Sequence, residues 1–152
     1  MKNHADHAEA LFKQGYNCAQ SVFAAFHDEL GLDQDTALKI ASSFGGGMGR
    51  LREVCGALTG LFMAAGLKYG YADPEDLDGK TIHYQLIQDF ARRFSDEYHS
   101  ILCRDLLQLD EKVSDPQPEA RTEAYYQRRP CAEYVRFAAS LLEKMMNDGP
   151  QG

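Results

Sequence analysis

A chain of 152 residues is long enough to form one domain with a sizeable core that needs no disulfide bonds. Its 44% hydrophobic and 26% charged residues are the proportions of an ordinary globular protein. The 23 acidic and 16 basic residues give a formal net charge of −7, with no long basic run. Because such a chain is poorly suited to the phosphate backbone, we expect no nucleic-acid partner.

The first half of the chain has helical periodicity and weak strand signals. Side chains that cap the start of a helix are present at Asn17 and at Asp33 or Asp35, and glycines that end a helix are present at Gly15 and Gly31. The four helices predicted there run from about 8 to 14, from 17 to 30, from 33 or 35 to 44, and from between 51 and 54 to 69.

The second half continues this pattern after a break at Pro74. Three more helices are predicted, from 75 or 77 to about 94, from a cap at Ser100 to about 107, and from Pro130 to about 146. Tyr125 and Tyr126 indicate another helix start. The segment 114–118 predicts a polar linker with two prolines, and 147–152 a frayed tail. The expected fold is all-α, a single domain over 1–152 forming a bundle of five to seven helices.

The opening fifteen residues are polar and lack the apolar segment of a signal peptide. The longest apolar stretch, 54–67, is rich in glycine and too short to cross a bilayer. We therefore expect a cytoplasmic protein that does not span the membrane. In a reducing compartment, four cysteines indicate catalysis, metal binding or simple burial rather than structural disulfides.

All four cysteines are predicted to lie at the start of a helix, and no two form a C-x-x-C pair: Cys18, Cys55, Cys103 and Cys131. Free N–H groups and the positive end of the helix dipole favour an anion there, which lowers the pKa of a thiol. Neighbouring arginines would add to this effect: Arg50, Arg52, Arg104, Arg128 and Arg129. The alternative is burial, because cysteine often packs like a small apolar side chain.

The glycine-rich stretch 45–60, GGGMGRLREVCGALTG, surrounds one of these cysteines. It lacks the Gly-Lys-Ser/Thr ending of a P-loop and the GxGxxG spacing of a dinucleotide fingerprint. Its glycines are therefore predicted to permit unusual backbone angles or the close approach of another helix, and so to support Cys55. This supporting set comprises Gly45, Gly46, Gly47, Gly49, Gly56 and Gly60.

Taken together, NCAQSV, FGGGMG, CGALTG and the lone cysteines at 103 and 131 resemble the C-GCAxxG-C-C family of redox-active proteins. The family shares four cysteines and a CGAxxG motif, which CGALTG matches. The resemblance extends from the NCAQ segment to the PCAEYV segment, nearly the whole chain. It implies redox activity through the same four cysteines. Because members are often encoded near transporter genes, it also implies a redox partner or a protein associated with a membrane transporter.

Three functions remain open for the four cysteines. In the first, the protein is a thiol-dependent oxidoreductase in which Cys55 is the attacking thiolate and a second cysteine resolves the intermediate, the pairing being open. In the second, all four are ligands of zinc or of an iron–sulfur cluster. In the third, the cysteines are buried and inert.

Overall fold

The computed structural model describes residues 3–110 and 112–148. Eight α-helices lie in these ranges, together with a 3-10 turn at Ser42–Phe44: α1 His4–Lys13, α2 Cys18–Ala25, α3 Gln34–Ala41, α4 Gly56–Tyr69, α5 Leu77–Tyr98, α6 Cys103–Leu106, α7 Glu123–Arg128 and α8 Cys131–Asp148. The all-α prediction is confirmed. The described residues hold one helix more than the predicted five to seven, and the short helix α7 lies where Tyr125 and Tyr126 indicate a helix start.

The centre of the bundle is α2, which contacts α1, α3, α4 and α8. Every residue of α2 is buried except Cys18 and Gln20, as expected of a helix that is apolar on all sides. The first two-thirds of α4 is buried for the same reason. These two helices therefore form the inner pair around which the others pack.

The outer helices have one apolar face each. Val135, Ala138 and Leu142 of α8 are fully buried, and this helix packs along α1. In contrast, the 22-residue α5 buries only Phe90 and Phe94. It contacts α4 and α8. Near its C-terminal end, aromatic rings lie with centroids 4.7–6.0 Å apart, edge to face in all pairs but one: Phe94, Tyr98, Tyr134 and Phe137.

Several predicted helix bounds are wrong by a few residues. The second helix ends at Ala25 because the chain then turns repeatedly, and the Leu32 N–H bonds back to the His27 carbonyl at 2.9 Å. The fourth begins only at Gly56, after an irregular loop. Ser100 is not the cap of α6: its hydroxyl accepts a hydrogen bond from the Leu102 N–H, and Leu102 holds the cap position.

The predicted linker 114–118 has no helix or strand, and all of its residues except Ser114 are exposed. Ser114 is buried and accepts a hydrogen bond from Arg52, and Pro116 and Pro118 line a cavity. The predicted tail begins within α8, which continues to Asp148. Residues 149–152 lie outside the described part of the chain.

Candidate thiol site

The N-termini of four helices converge on one cavity of about 410 Å³, and each contributes a cysteine to its lining. Cys18, Cys103 and Cys131 are the first residues of α2, α6 and α8, and Cys55 is the N-cap residue of α4. The prediction that all four lie at helix N-termini is confirmed. Cys18 is half-buried, whereas the other three are buried.

Two glycines of α4 allow this helix to approach α2 closely. A Cβ added at Gly60 would lie 2.7 Å from the Ala19 carbonyl oxygen, and one at Gly56 only 3.2 Å from the Cys18 Cβ. No larger residue fits there without moving one of the helices. Because Gly56 directly follows Cys55, the contact also holds two cysteine-bearing segments together, as the glycine spacing predicts.

The glycine-rich loop forms a left-handed turn. Residues 46–50 all have positive φ, between 55° and 71°, and Met48 and Arg50 adopt this conformation without being glycine. Left-handed backbone costs about 1–2 kcal/mol for such residues. A Cβ at Gly47 would lie 2.7 Å from the Cys103 Cβ. The turn therefore brings the loop into direct contact with the cavity wall.

A short antiparallel bridge between Val54 and Leu102 holds two more cysteine segments side by side. The Cys55 N–H donates to the Ile101 carbonyl at 2.8 Å, and the Cys103 N–H donates to the Glu53 carbonyl at 2.7 Å. Each of these two cysteines is thus held in place by a backbone hydrogen bond to the segment that carries the other.

Arg52 supplies a buried positive charge next to Cys103. Its side chain is only 4% exposed. Its Nε donates to the Ser114 hydroxyl at 2.8 Å, and its Nη1 lies 3.5 Å from the Cys103 sulfur. A guanidinium in this position stabilises a thiolate more than a thiol.

Cys18 and Cys131 affect each other's pKa. The interaction with the Cys18 side chain lowers the pKa of Cys131 despite its burial, and the guanidinium groups of Arg129 and Arg121 lower it further. The same interaction, together with burial, raises the pKa of Cys18 well above its ordinary value. Of the four cysteines, Cys131 is therefore the one that the surroundings favour as a thiolate.

The other two cysteines have raised pKa values. Burial raises the pKa of Cys55 to about 12. Burial also raises the pKa of Cys103, although the hydrogen bond from Arg52 opposes it. The expectation that helix N-termini lower all four pKa values is wrong for three of them, because loss of hydration disfavours the charged form. This result also weighs against Cys55 as the attacking thiolate.

The cavity lining is rich in arginine, with one acidic residue, Glu119: the basic residues are Arg50, Arg52, Arg121 and Arg129. Arg121 was not among the arginines predicted near the cysteines, since it follows a polar segment that resembles a linker. Its guanidinium lies 4.4 Å from the centre of the Phe12 ring and donates to the Phe12 and Tyr16 carbonyls at 3.0 Å. Arg104 and Arg128, by contrast, pair with Glu53 and Glu119 and do not line the cavity.

A metal site is not preformed in the part of the chain that the structure describes. There, no three or more His, Cys, Asp or Glu side chains form a group that could hold a metal ion. The four cysteines share a cavity without being gathered into a ligand set.

The fold is thus an all-α bundle, and its candidate site is a cavity lined by four cysteines. Residues 16–145 match the model of the family described as "Putative redox-active protein (C_GCAxxG_C_C)". The chain belongs to this family, as its motifs predict. No curated protein and no solved structure matches the chain. Over 3–110 and 112–148, no helix has both the length and the apolar character needed to cross a membrane.

Proposed function

We propose that this protein is a thiol–disulfide oxidoreductase in which Cys131 is the attacking thiolate and Cys18 the resolving cysteine. The observation that supports this assignment is the shared cavity: Cys18 and Cys131 line it from the N-termini of α2 and α8. There, the interaction with Cys18 and the charges of Arg129 and Arg121 lower the pKa of Cys131. Thiolates attack disulfides, and a neighbouring thiol can complete the exchange.

The exchange proceeds in two balanced steps. The Cys131 thiolate attacks one sulfur of a substrate disulfide, whose S–S bond breaks and releases a thiolate. Cys18 then gives its proton to that released thiolate and attacks the Cys131 sulfur, which expels the second substrate thiolate. The substrate disulfide gains two electrons, and the two cysteines lose them by forming a disulfide. Cys55 and Cys103 line the same cavity, and their protonated thiols are assigned no step.

A second exchange must return the protein to its reduced form. A dithiol that is small enough to enter the cavity is the class of reductant that this requires, because Cys131 is buried. A redox partner is also what the family resemblance implies. The cytoplasmic location expected from the sequence would supply a reducing environment. A partner associated with a membrane transporter stays a prediction of the resemblance alone.

The test is to treat the reduced protein, purified without oxygen or chelator, with bis(2-hydroxyethyl) disulfide and to map the products by mass spectrometry. We expect a Cys18–Cys131 disulfide in the native protein. In the Cys18→Ser variant we expect a mixed disulfide trapped on Cys131, because no resolving thiol is present. The Cys131→Ser variant should form neither product.

Two results would contradict the proposal. A mixed disulfide that accumulates first on Cys55 would return the attacking role to that residue. Stoichiometric zinc or iron in the purified protein, with thiols that react only after chelation, would favour the metal-binding alternative, in which Cys18, Cys55, Cys103 and Cys131 are ligands.

A further inference from the structure

We propose that the thiol cavity selects anionic substrates, namely small organic disulfides that carry carboxylates. The guanidinium groups of Arg50, Arg52 and Arg121 would hold the carboxylates while the disulfide lies beside Cys131. This inference rests on the proposed function and deepens it by naming the class of substrate.

The charge of the cavity is the first observation. Four arginines and one glutamate line it, although the whole chain has a net charge of −7. Glu119 is already shared between Arg128 and Arg129. Across the described residues, no carboxylate forms an ion pair with Arg50, Arg52 or Arg121. A concave site lined by unneutralised charge of one sign attracts ligands of the opposite sign.

Arg129, which also lines the cavity, has one N–H group without a hydrogen-bond partner among the described residues. Its side chain is only 11% exposed, and its Nε is buried with no hydrogen-bond partner among the described residues. A buried N–H without an acceptor is unfavourable. Guanidinium groups bind carboxylates well because their parallel donors match two oxygens. A bound carboxylate is therefore the kind of acceptor that this arginine lacks.

The size and depth of the cavity determine how large the substrate can be. Its volume of about 410 Å³ lies within the roughly 300–1,000 Å³ of small-molecule sites. Cys131 is only 7% exposed, so a disulfide on the surface of a folded protein would not reach it. A low-molecular-weight disulfide would enter the cavity, and its charged ends would meet the arginines.

The test compares three disulfides that share a –CH2CH2–S–S–CH2CH2– core and differ in charge: 3,3′-dithiodipropionate, bis(2-hydroxyethyl) disulfide and cystamine. For each disulfide, the rate at which it oxidises the reduced protein is divided by the rate at which it oxidises 2-mercaptoethanol. This ratio removes differences in the intrinsic reactivity of the three disulfides. We expect the anionic disulfide to react at least about tenfold faster than the neutral one, and the cationic one to be slowest. The preference should shrink as salt is added.

Arg50→Gln is the informative variant, because Arg50 lines the cavity but is not among the groups that lower the pKa of Cys131. It should reduce the ratio of the anionic rate to the neutral rate by roughly three- to tenfold. Arg128→Gln is the matched control, since Arg128 is 61% exposed and lies outside the cavity lining. An unchanged preference in Arg50→Gln, or equal loss in both variants, would overturn the proposal.

Binding of a redox-inert dicarboxylate separates this inference from the proposed function. Suberate has the same chain length as dithiodipropionate, with methylene groups in place of both sulfurs. If suberate binds in calorimetry but no disulfide reacts, the anion site stands and the thiol exchange fails. If the neutral disulfide yields the Cys18–Cys131 bond without any charge preference, the exchange stands and the anion site fails. Sulfate binding tighter than suberate would indicate an inorganic oxyanion instead of a carboxylate.

Discussion

At the level of single residues, the surroundings of Cys18 and Cys131 shift the pKa values of two chemically identical side chains in opposite directions. A hydrogen bond donated to a sulfur favours its charged form, and the donor must keep its proton to make that bond. Arg129, which directly precedes Pro130, and Arg121 act in the same direction on Cys131. The lowered pKa of Cys131 therefore depends on a neighbouring cysteine and two arginines, and not only on its position at a helix N-terminus.

We expect Cys18→Ala to raise the pKa of Cys131 because the donor is lost. The rate of alkylation of Cys131 by iodoacetamide at neutral pH should fall by roughly tenfold, since a hydrogen bond to a charged group contributes about 1.5–3 kcal/mol. Mass spectrometry of the alkylated peptide at several pH values measures the effect. Cys18→Ser is the matched control, because its hydroxyl can still donate. If both variants alkylate like the native protein, the hydrogen bond does not set the pKa.

At the level of helices, the contact between α2 and α4 depends on glycine. Glycine in a helix interior costs about 1 kcal/mol relative to alanine, and Gly60 offsets this cost by allowing the Ala19 backbone to come close. Gly66, in the same helix, has only His83 Nε2 at 3.9 Å from a Cβ built on it. The two glycines therefore lie in the same helix, but only Gly60 is in close contact with another part of the chain.

Gly60→Ala should destabilise the protein by up to about 2 kcal/mol, since overpacking costs about 1–3 kcal/mol and the gain in helix propensity returns about 1 kcal/mol. Gly66→Ala should instead stabilise it by up to about 1 kcal/mol. Urea denaturation of both variants under reducing conditions gives the two free energies of unfolding. A stabilising Gly60→Ala would mean that α2 and α4 do not depend on this close approach.

At the level of the whole molecule, the raised pKa values of three thiols link stability to pH. Cys18, Cys55 and Cys103 have raised pKa values when folded, so their contribution is fully present below the pKa of unfolded cysteine. Above about pH 8.5 the unfolded chain loses these protons while the folded chain keeps them. The unfolded state then binds fewer protons, and stability falls as the pH rises. Cys131 acts in the opposite sense, because its lowered pKa adds stability above the unfolded pKa and loses it as the pH falls.

The free energy of unfolding should therefore decrease between about pH 8.5 and 10, by up to about 1.4 kcal/mol per pH unit for each buried thiol that keeps its proton. Urea denaturation at pH 7, 8.5 and 10 with a phosphine reductant measures this slope. Cys55→Ser removes one titrating group and should make the slope shallower, whatever its effect at pH 7. A stability that is flat or rises over this interval would contradict the buried, protonated state of these cysteines.

The local features of the chain were predictable because they depend on neighbours in sequence. Asn17 and Asp33 cap their helices as expected. The position of the cysteines at helix starts was predictable because caps, glycines and prolines fix a helix start through interactions within one turn. The contact that the segment 114–118 makes with Arg52 was not predictable in this way. The composition of a polar, proline-containing segment does not show which of its residues are exposed and which, like Ser114, are buried against an arginine.

The sequence by itself determined the all-α class, the helix-terminal position of the four cysteines and the family. Only the tertiary structure decided that the four cysteines and Arg121 line one cavity, and that the surroundings lower the pKa of Cys131 while raising those of the other three. The physical reason is that helix formation depends on interactions within a few residues, whereas the pKa of a thiol depends on the burial, charges and hydrogen-bond donors around it. Folding brings those groups together from segments far apart in the chain.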